Sequence, residues 1–95
     1  PWGRHTRWLS VMLVDEKAFG LGPEGIRQAL EAKGIETRPV WKPLHLQPIF
    51  QEAERVGGKV AEELFARGLC LPSGSSLTLE EQDRVIESIR VLAIP

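Results

Sequence analysis

The apolar positions fall into short blocks whose period changes along the chain. Residues 8–14 read Trp-Leu-Ser-Val-Met-Leu-Val. That run is nearly unbroken and rich in aromatic and β-branched residues, which predicts a first strand buried on both faces. Residues 15–21 form a polar, glycine-bearing connection. Ile26, Ala29 and Leu30 then recur at helical spacing while Glu31 and Lys33 face water, so a helix is predicted. Its ends are marked too. Gly22 can serve as N-cap with Pro23 at the first position and Glu24 in the first turn, and Gly34 stands where a left-handed cap is wanted. A second strand is predicted over 35–40, alternating at first.

Residues 51–56 allow a short helical turn, which Gly57-Gly58 breaks. Val60, Ala61, Leu64 and Phe65 predict a helix over 59–67 with Gly68 as its stop. Leu69-Cys70-Leu71 reads as a third strand closed by Pro72, and residues 73–76 as a turn. Thr78 and Glu81 have capping-box spacing. They open a last helix to about Leu92, with Val85, Ile86, Ile89 and Leu92 inward. The order is strand, helix, strand, long loop, helix, strand, helix. It predicts an α/β (α+β) two-layer sandwich, a small three-stranded sheet with helices packed on it. So small a core would gain stability by docking on another domain or subunit.

The long loop over 38–50 changes the picture most. It carries Pro39, Pro43 and Pro48 together with Arg38, Trp41, Lys42, His45 and Gln47. Prolines fix φ and lack the N–H, so neither a regular helix nor a central strand runs through it. Two readings stay open: a stiffened polar loop that receives a ligand, or a proline-rich cover for the core.

Composition narrows the classes. A chain of 95 residues is a single small domain, here 1–95. A net charge of −1 argues against nucleic acid or a membrane surface as partner. Nothing resembles a membrane span or a signal peptide. One cysteine, Cys70, excludes an internal disulfide and a cysteine metal cluster, in keeping with a cytoplasmic setting. The chain begins with Pro1, as a fragment of something longer or a processed chain would.

Familiar catalytic patterns are poorly matched. Gly20, Gly22 and Gly25 have Gly-x-Gly-x-x-Gly spacing, but Pro23 and the short connection fit a dinucleotide loop badly. His5 and His45 lie too far apart for a local metal motif, with no acidic residue at ligand spacing, so no metal is expected. Ser73, Ser75 and Ser76 lack the nucleophile elbow and suit the turn and helix entrance. Arg38, Lys42 and His45 remain. A planar fork, a point charge and a neutral-pH donor could together receive a phosphorylated ligand. Trp41 is either a stacking platform or packing.

At these residues the sequence resembles a known family. Gly34-Ile35-Glu36-Thr37-Arg38-Pro39-Val40-Trp41-Lys42-Pro43-Leu44-His45-Leu46-Gln47-Pro48 is similar to the Pro-Leu-His-x-Gln-Pro region of the DegT/DnrJ/EryC1/StrS aminotransferases. Leu71-Pro72 through Leu77-Thr78, with the helix after it, looks like that family's closing segment, and Arg7-Trp8-Leu9 like the start of its small domain. The resemblance implies the C-terminal small domain of an aspartate-aminotransferase-like fold, with the large cofactor domain absent.

The same resemblance, rather than composition or spacing, implies an activity for the full-length parent, which would be a pyridoxal-phosphate-dependent enzyme. It would move an amino group from a donor such as glutamate to a nucleotide-linked keto-sugar, in polysaccharide, glycan or antibiotic sugar synthesis. Its implied partners are the large domain, the nucleotide sugar and a second copy in a homodimer. None of Lys17, Lys33, Lys42 or Lys59 resembles the cofactor lysine, so no catalytic or cofactor-binding residue and no bound pyridoxal phosphate is expected in this chain. Arg38, Trp41, Lys42 and His45 are the candidate substrate contacts. Thr6 stands where family members often carry Asn, so a contact through that amide is not carried over. The competing readings are a stand-alone ligand-binding or regulatory domain and a protein-interaction module.

Overall fold

A computed structural model describes residues 2–95. The predicted lead-in over 1–7 is non-repetitive from Trp2 onward, and Pro1 lies outside the described residues. Strands β1 (Ser10–Leu13), β2 (Arg38–Pro39) and β3 (Gly68–Leu71) form one sheet in the order β1-β3-β2. Both pairings are antiparallel, with Val11 and Arg38 on either side of Cys70, and Met12 and Pro39 on either side of Leu69. The most apolar strand takes the centre. Pro39, which cannot donate a ladder hydrogen bond, falls on an edge.

The helices are α1 (Glu16–Phe19), α2 (Pro23–Glu31), α3 (Lys59–Arg67) and α4 (Leu79–Arg90). Ile26 and Leu30 of α2 and Leu69 of β3 are fully buried, joined in the core by Val14, Ile35 and Val85. Met12, Phe19, Leu21, Leu71, Ile89 and Leu92 pack around them. The ends of α2 and the start of α4 obey their local signals. Gly22 precedes Pro23 at the start of α2. Gly34 takes φ 73°, a region favouring glycine, and Ile35 N–H then donates back to the Leu30 carbonyl at 2.9 Å. At α4 the Thr78–Glu81 capping box forms in both directions, at 3.1 and 2.9 Å.

Several expectations are corrected. The first strand pairs only over Ser10–Leu13, and its two faces differ: Val11 and Leu13 remain 49% and 47% exposed. Met12 and Val14 point into the core because helices cover only that face. The second strand shrinks to Arg38–Pro39, since the backbone at Ile35 is engaged by the end of α2. Within the supposed connection over 15–21 lies α1, whose N-cap Asp15 accepts from Lys17 and Ala18 N–H groups. Gly20 closes that helix in the left-handed region, so Gly20 and Gly22 serve helix caps and no phosphate loop comes after a strand. Ile86 stays 45% exposed, and Ser88 is buried in its stead. Helix α4 ends at Arg90, short of the expected Leu92; its inward stripe is Val85, Ser88 and Ile89, and Leu92 packs from the turn beyond it. Gly68 is extended, φ −88° and ψ 149°, so α3 runs straight into β3 without a left-handed stop.

Two short 3₁₀ turns, Leu44–Leu46 and Pro48–Phe50, interrupt the proline-rich loop. Helix α3 buries none of its side chains fully. The described residues expose 7792 Å², where a compact chain of this mass would expose about 5,500 Å². The Cα radius of gyration is 15.7 Å, against about 12–13 Å for a compact domain of this length. The molecule is thus more open than a compact domain of its length.

Candidate functional site

The edge strand β2, the turn before α4 and the first turns of α4 enclose a groove of about 540 Å³. Arg38, Trp41, Thr37, Ser73 and Arg84 are among its walls, with Cys70 beside them. Thr37 is buried, and its Oγ1 has no hydrogen-bond partner among the described residues. Arg38 lies on the exposed edge, its Nε and Nη2 both donating to Glu36 Oε1 at 3.0 and 2.8 Å. Both partners are well exposed, so the pair is weak and the guanidinium is free to exchange it for another anion. Arg84 donates to the Lys33 carbonyl, tying α4 to the turn after α2.

Of the four candidates, Arg38 and Trp41 line this groove, while Lys42 and His45 do not. Trp41 packs against Trp8, with ring centroids 5.4 Å apart and planes inclined by 35°. The residue as a whole is still 61% exposed. The Lys42 side chain is exposed, and its carbonyl accepts from Gln47 Nε2 at 3.1 Å.

His45 belongs to a second cluster. Its Nε2–H donates to Glu62 Oε1 at 2.7 Å, and Arg55 Nη1 donates to the same oxygen at 3.2 Å. The His45 side chain is only 13% exposed. The hydrogen bond from His45, reinforced by the charge of Arg55, holds the Glu62 carboxyl below the ordinary glutamate range. Gly58, at φ 109°, lies against the imidazole: a Cβ there would stand 2.6 Å from His45 Cε1. Sequence reading missed Glu62, Thr37 and Arg84. Glu62 lies 17 positions from His45, beyond any local periodicity.

The remaining chemistry is structural. Ser73 Oγ donates to the Leu71 carbonyl and accepts from Ser10 N–H, both at 2.8 Å, so it joins the turn to β1. Among the described residues no three acidic, histidine or cysteine side chains could hold a metal. Lys17, Lys33, Lys42 and Lys59 are all exposed and none lines the groove. A Schiff-base lysine needs a desolvated or otherwise perturbed setting. None of the four lysines has such a setting within this chain.

Residues 1–90 match the sequence family described as the DegT/DnrJ/EryC1/StrS aminotransferase family. Over 89 residues the chain is 49% identical to a Bacillus subtilis protein described as a pyridoxal phosphate-dependent aminotransferase, EpsN, covering 90% of this chain and 22% of that protein. It is 34% identical over 87 residues to GDP-perosamine synthase of Caulobacter vibrioides, covering 92% and 23%. Among solved structures it superposes on a DegT/DnrJ/EryC1/StrS aminotransferase from Brucella abortus with a TM-score of 0.75 and 28% identity, covering 92% of this chain and 22% of that one. Helicobacter pylori PseC, an aminotransferase involved in the biosynthesis of pseudoaminic acid, shares the fold with a TM-score of 0.76 at 23% identity, covering 90% of this chain and 23% of that one. The chain thus spans a little over a fifth of the relatives it matches. The expected α/β fold is found, matching the small domain of such transferases. By sequence and by fold, this chain belongs to the DegT/DnrJ/EryC1/StrS aminotransferase family.

Proposed function

We propose that this chain works as the small domain of a longer pyridoxal-phosphate-dependent aminotransferase that passes an amino group from glutamate to a nucleotide-linked keto-sugar. The observation that carries this reading is the 49% identity to EpsN across nine-tenths of the chain. The GDP-perosamine synthases among the relatives support a nucleotide sugar as the acceptor. The cofactor and its lysine would belong to the rest of the parent. The large uncovered surface favours docking against such a domain, and a homodimer beyond it, over a stand-alone ligand-binding module.

In this reading Arg38 is the diphosphate contact. It exchanges the exposed Glu36 carboxylate for phosphate oxygens, which its planar fork matches. Lys42 adds a point charge from the loop, and the exposed Trp41 covers an apolar face of the ligand. His45 supports these contacts from behind.

The test is amino transfer from glutamate to GDP-, UDP- and dTDP-linked keto-sugars by the longer enzyme. Arg38→Ala is expected to raise KM for the nucleotide sugar about tenfold, equivalent to about 1.4 kcal/mol of binding, with kcat little changed. An unaltered KM would remove Arg38 from the substrate site. Inactivity of the unmodified enzyme with every nucleotide sugar would overturn the reading as a whole.

A further inference from the structure

Residues 43–57 form an arm that leaves the sheet after β2 and returns at α3. Its backbone hydrogen bonds are all internal: Leu46 to Pro43, Gln47 to Leu44, Phe50 to Gln47, Gln51 to Pro48 and Ala53 to Phe50. Of its apolar side chains Pro43 is buried and Leu46 half-buried, whereas Leu44, Ile49 and Val56 are exposed by 67%, 81% and 96%. Among the described residues, two side-chain hydrogen bonds leave the arm for the helices of the fold, from His45 and from Arg55. Both end on one atom, Glu62 Oε1 in α3. The arm's two halves therefore meet at a single carboxylate.

We propose that Glu62 is a positioning residue, the anchor through which His45 and Arg55 fix the proline-rich arm. Through His45 it would set the placing of Trp41 and Lys42, only four and three residues upstream. Three features make the anchor selective. Nε2 of His45 spends its proton on Glu62, which orients the ring. Gly58 presses on that ring from the N-cap of α3, in a left-handed conformation that favours glycine. Pro43 and Pro48 stiffen the chain on either side of His45, so fixing one side chain fixes the whole turn.

The functional half of this inference rests on the reading of the arm's start as a substrate contact; the structural half does not. Amide hydrogen exchange and steady-state kinetics on the longer enzyme separate them. Glu62→Ala and His45→Ala should each speed exchange of amides 44–50 by about tenfold or more while 68–71 stay protected. The double variant should exchange no faster than the Glu62 variant alone, because His45 acts through that carboxylate. His45→Gln keeps a donor for Glu62 and should recover part of the protection. In kinetics, KM for the nucleotide sugar should rise severalfold with kcat nearly constant. Unchanged exchange in both single variants, multiplicative effects in the double one, or no recovery in His45→Gln would overturn the anchor. A fall in kcat alone would overturn its bearing on substrate placement. If the unmodified enzyme uses no nucleotide sugar, the exchange result still decides the anchor.

Discussion

His45 and Glu62 show how a residue's type and its task come apart. Histidine, lysine and arginine clustered in one loop suggest a shared ligand, yet the fold turns His45 inward to a carboxylate of α3 and leaves Lys42 outside the groove of Arg38. The pair has a pH signature. Glu62 is held below its ordinary pKa, first by the hydrogen bond from His45 and then by the charges of His45 and Arg55. A carboxyl whose folded pKa is depressed contributes stability that is fully present above its unfolded value, about 4.3. That contribution is lost as pH falls through the lower folded value. Protection of amides 44–50, corrected for intrinsic exchange rates, should therefore fall once pH drops below about 4. In Glu62→Gln that acid dependence should vanish. Persistence of the same acid loosening in the variant would assign it to another carboxyl.

Elements are legible in the sequence wherever their signals are local. The Pro23 start of α2, the Gly34 turn and the Thr78–Glu81 box act through neighbours within a few residues, and all three form as read. Thr78→Ala removes the acceptor for Glu81 N–H and should cost about 1 kcal/mol. For a domain of this size that lowers Tm by about 4–8 °C. Thr78→Ser, which keeps the hydroxyl, should melt near the parent temperature by circular dichroism. Equal losses in both variants would mean that the methyl group's packing matters more than the cap. By contrast, β1 is shorter than its pattern because a strand ends where its partner ends, and β2 is shorter because the end of α2 engages the backbone at Ile35. Ser10 and Leu13 mark the limits of what β3 can pair. Helix α1 is hidden in the sequence because four residues carry no period, although Asp15 is a readable cap.

At the scale of the molecule, the excess of surface comes from the non-repetitive lead-in, the proline-rich arm and the open face of the sheet. Helices α2 and α4 cover one face of the sheet, and the opposite face holds half-exposed Val11 and Leu13. A two-layer sandwich with apolar side chains on its open face is expected to associate. Leu13→Lys should reduce self-association of the chain in size-exclusion chromatography, with stability changed by no more than about 0.5 kcal/mol. In the longer enzyme the same change should lower stability well beyond that, because a charge would be buried against the docked domain. Equal and small effects in both settings would show that this face stays wet in the parent.

The sequence alone determined the fold class, the ends of α2 and α3, the start of α4 and the family, because caps, periods and contiguous motifs are written within short windows. It also located the loop that carries Arg38, Trp41, Lys42 and His45. Only the tertiary structure decided that β3 lies at the centre of the sheet, that Arg38 and Trp41 share a groove with Thr37 and Arg84, and that His45 closes on Glu62. Those outcomes depend on which distant segments meet, and a hydrogen-bond partner 17 positions away leaves no trace in local spacing.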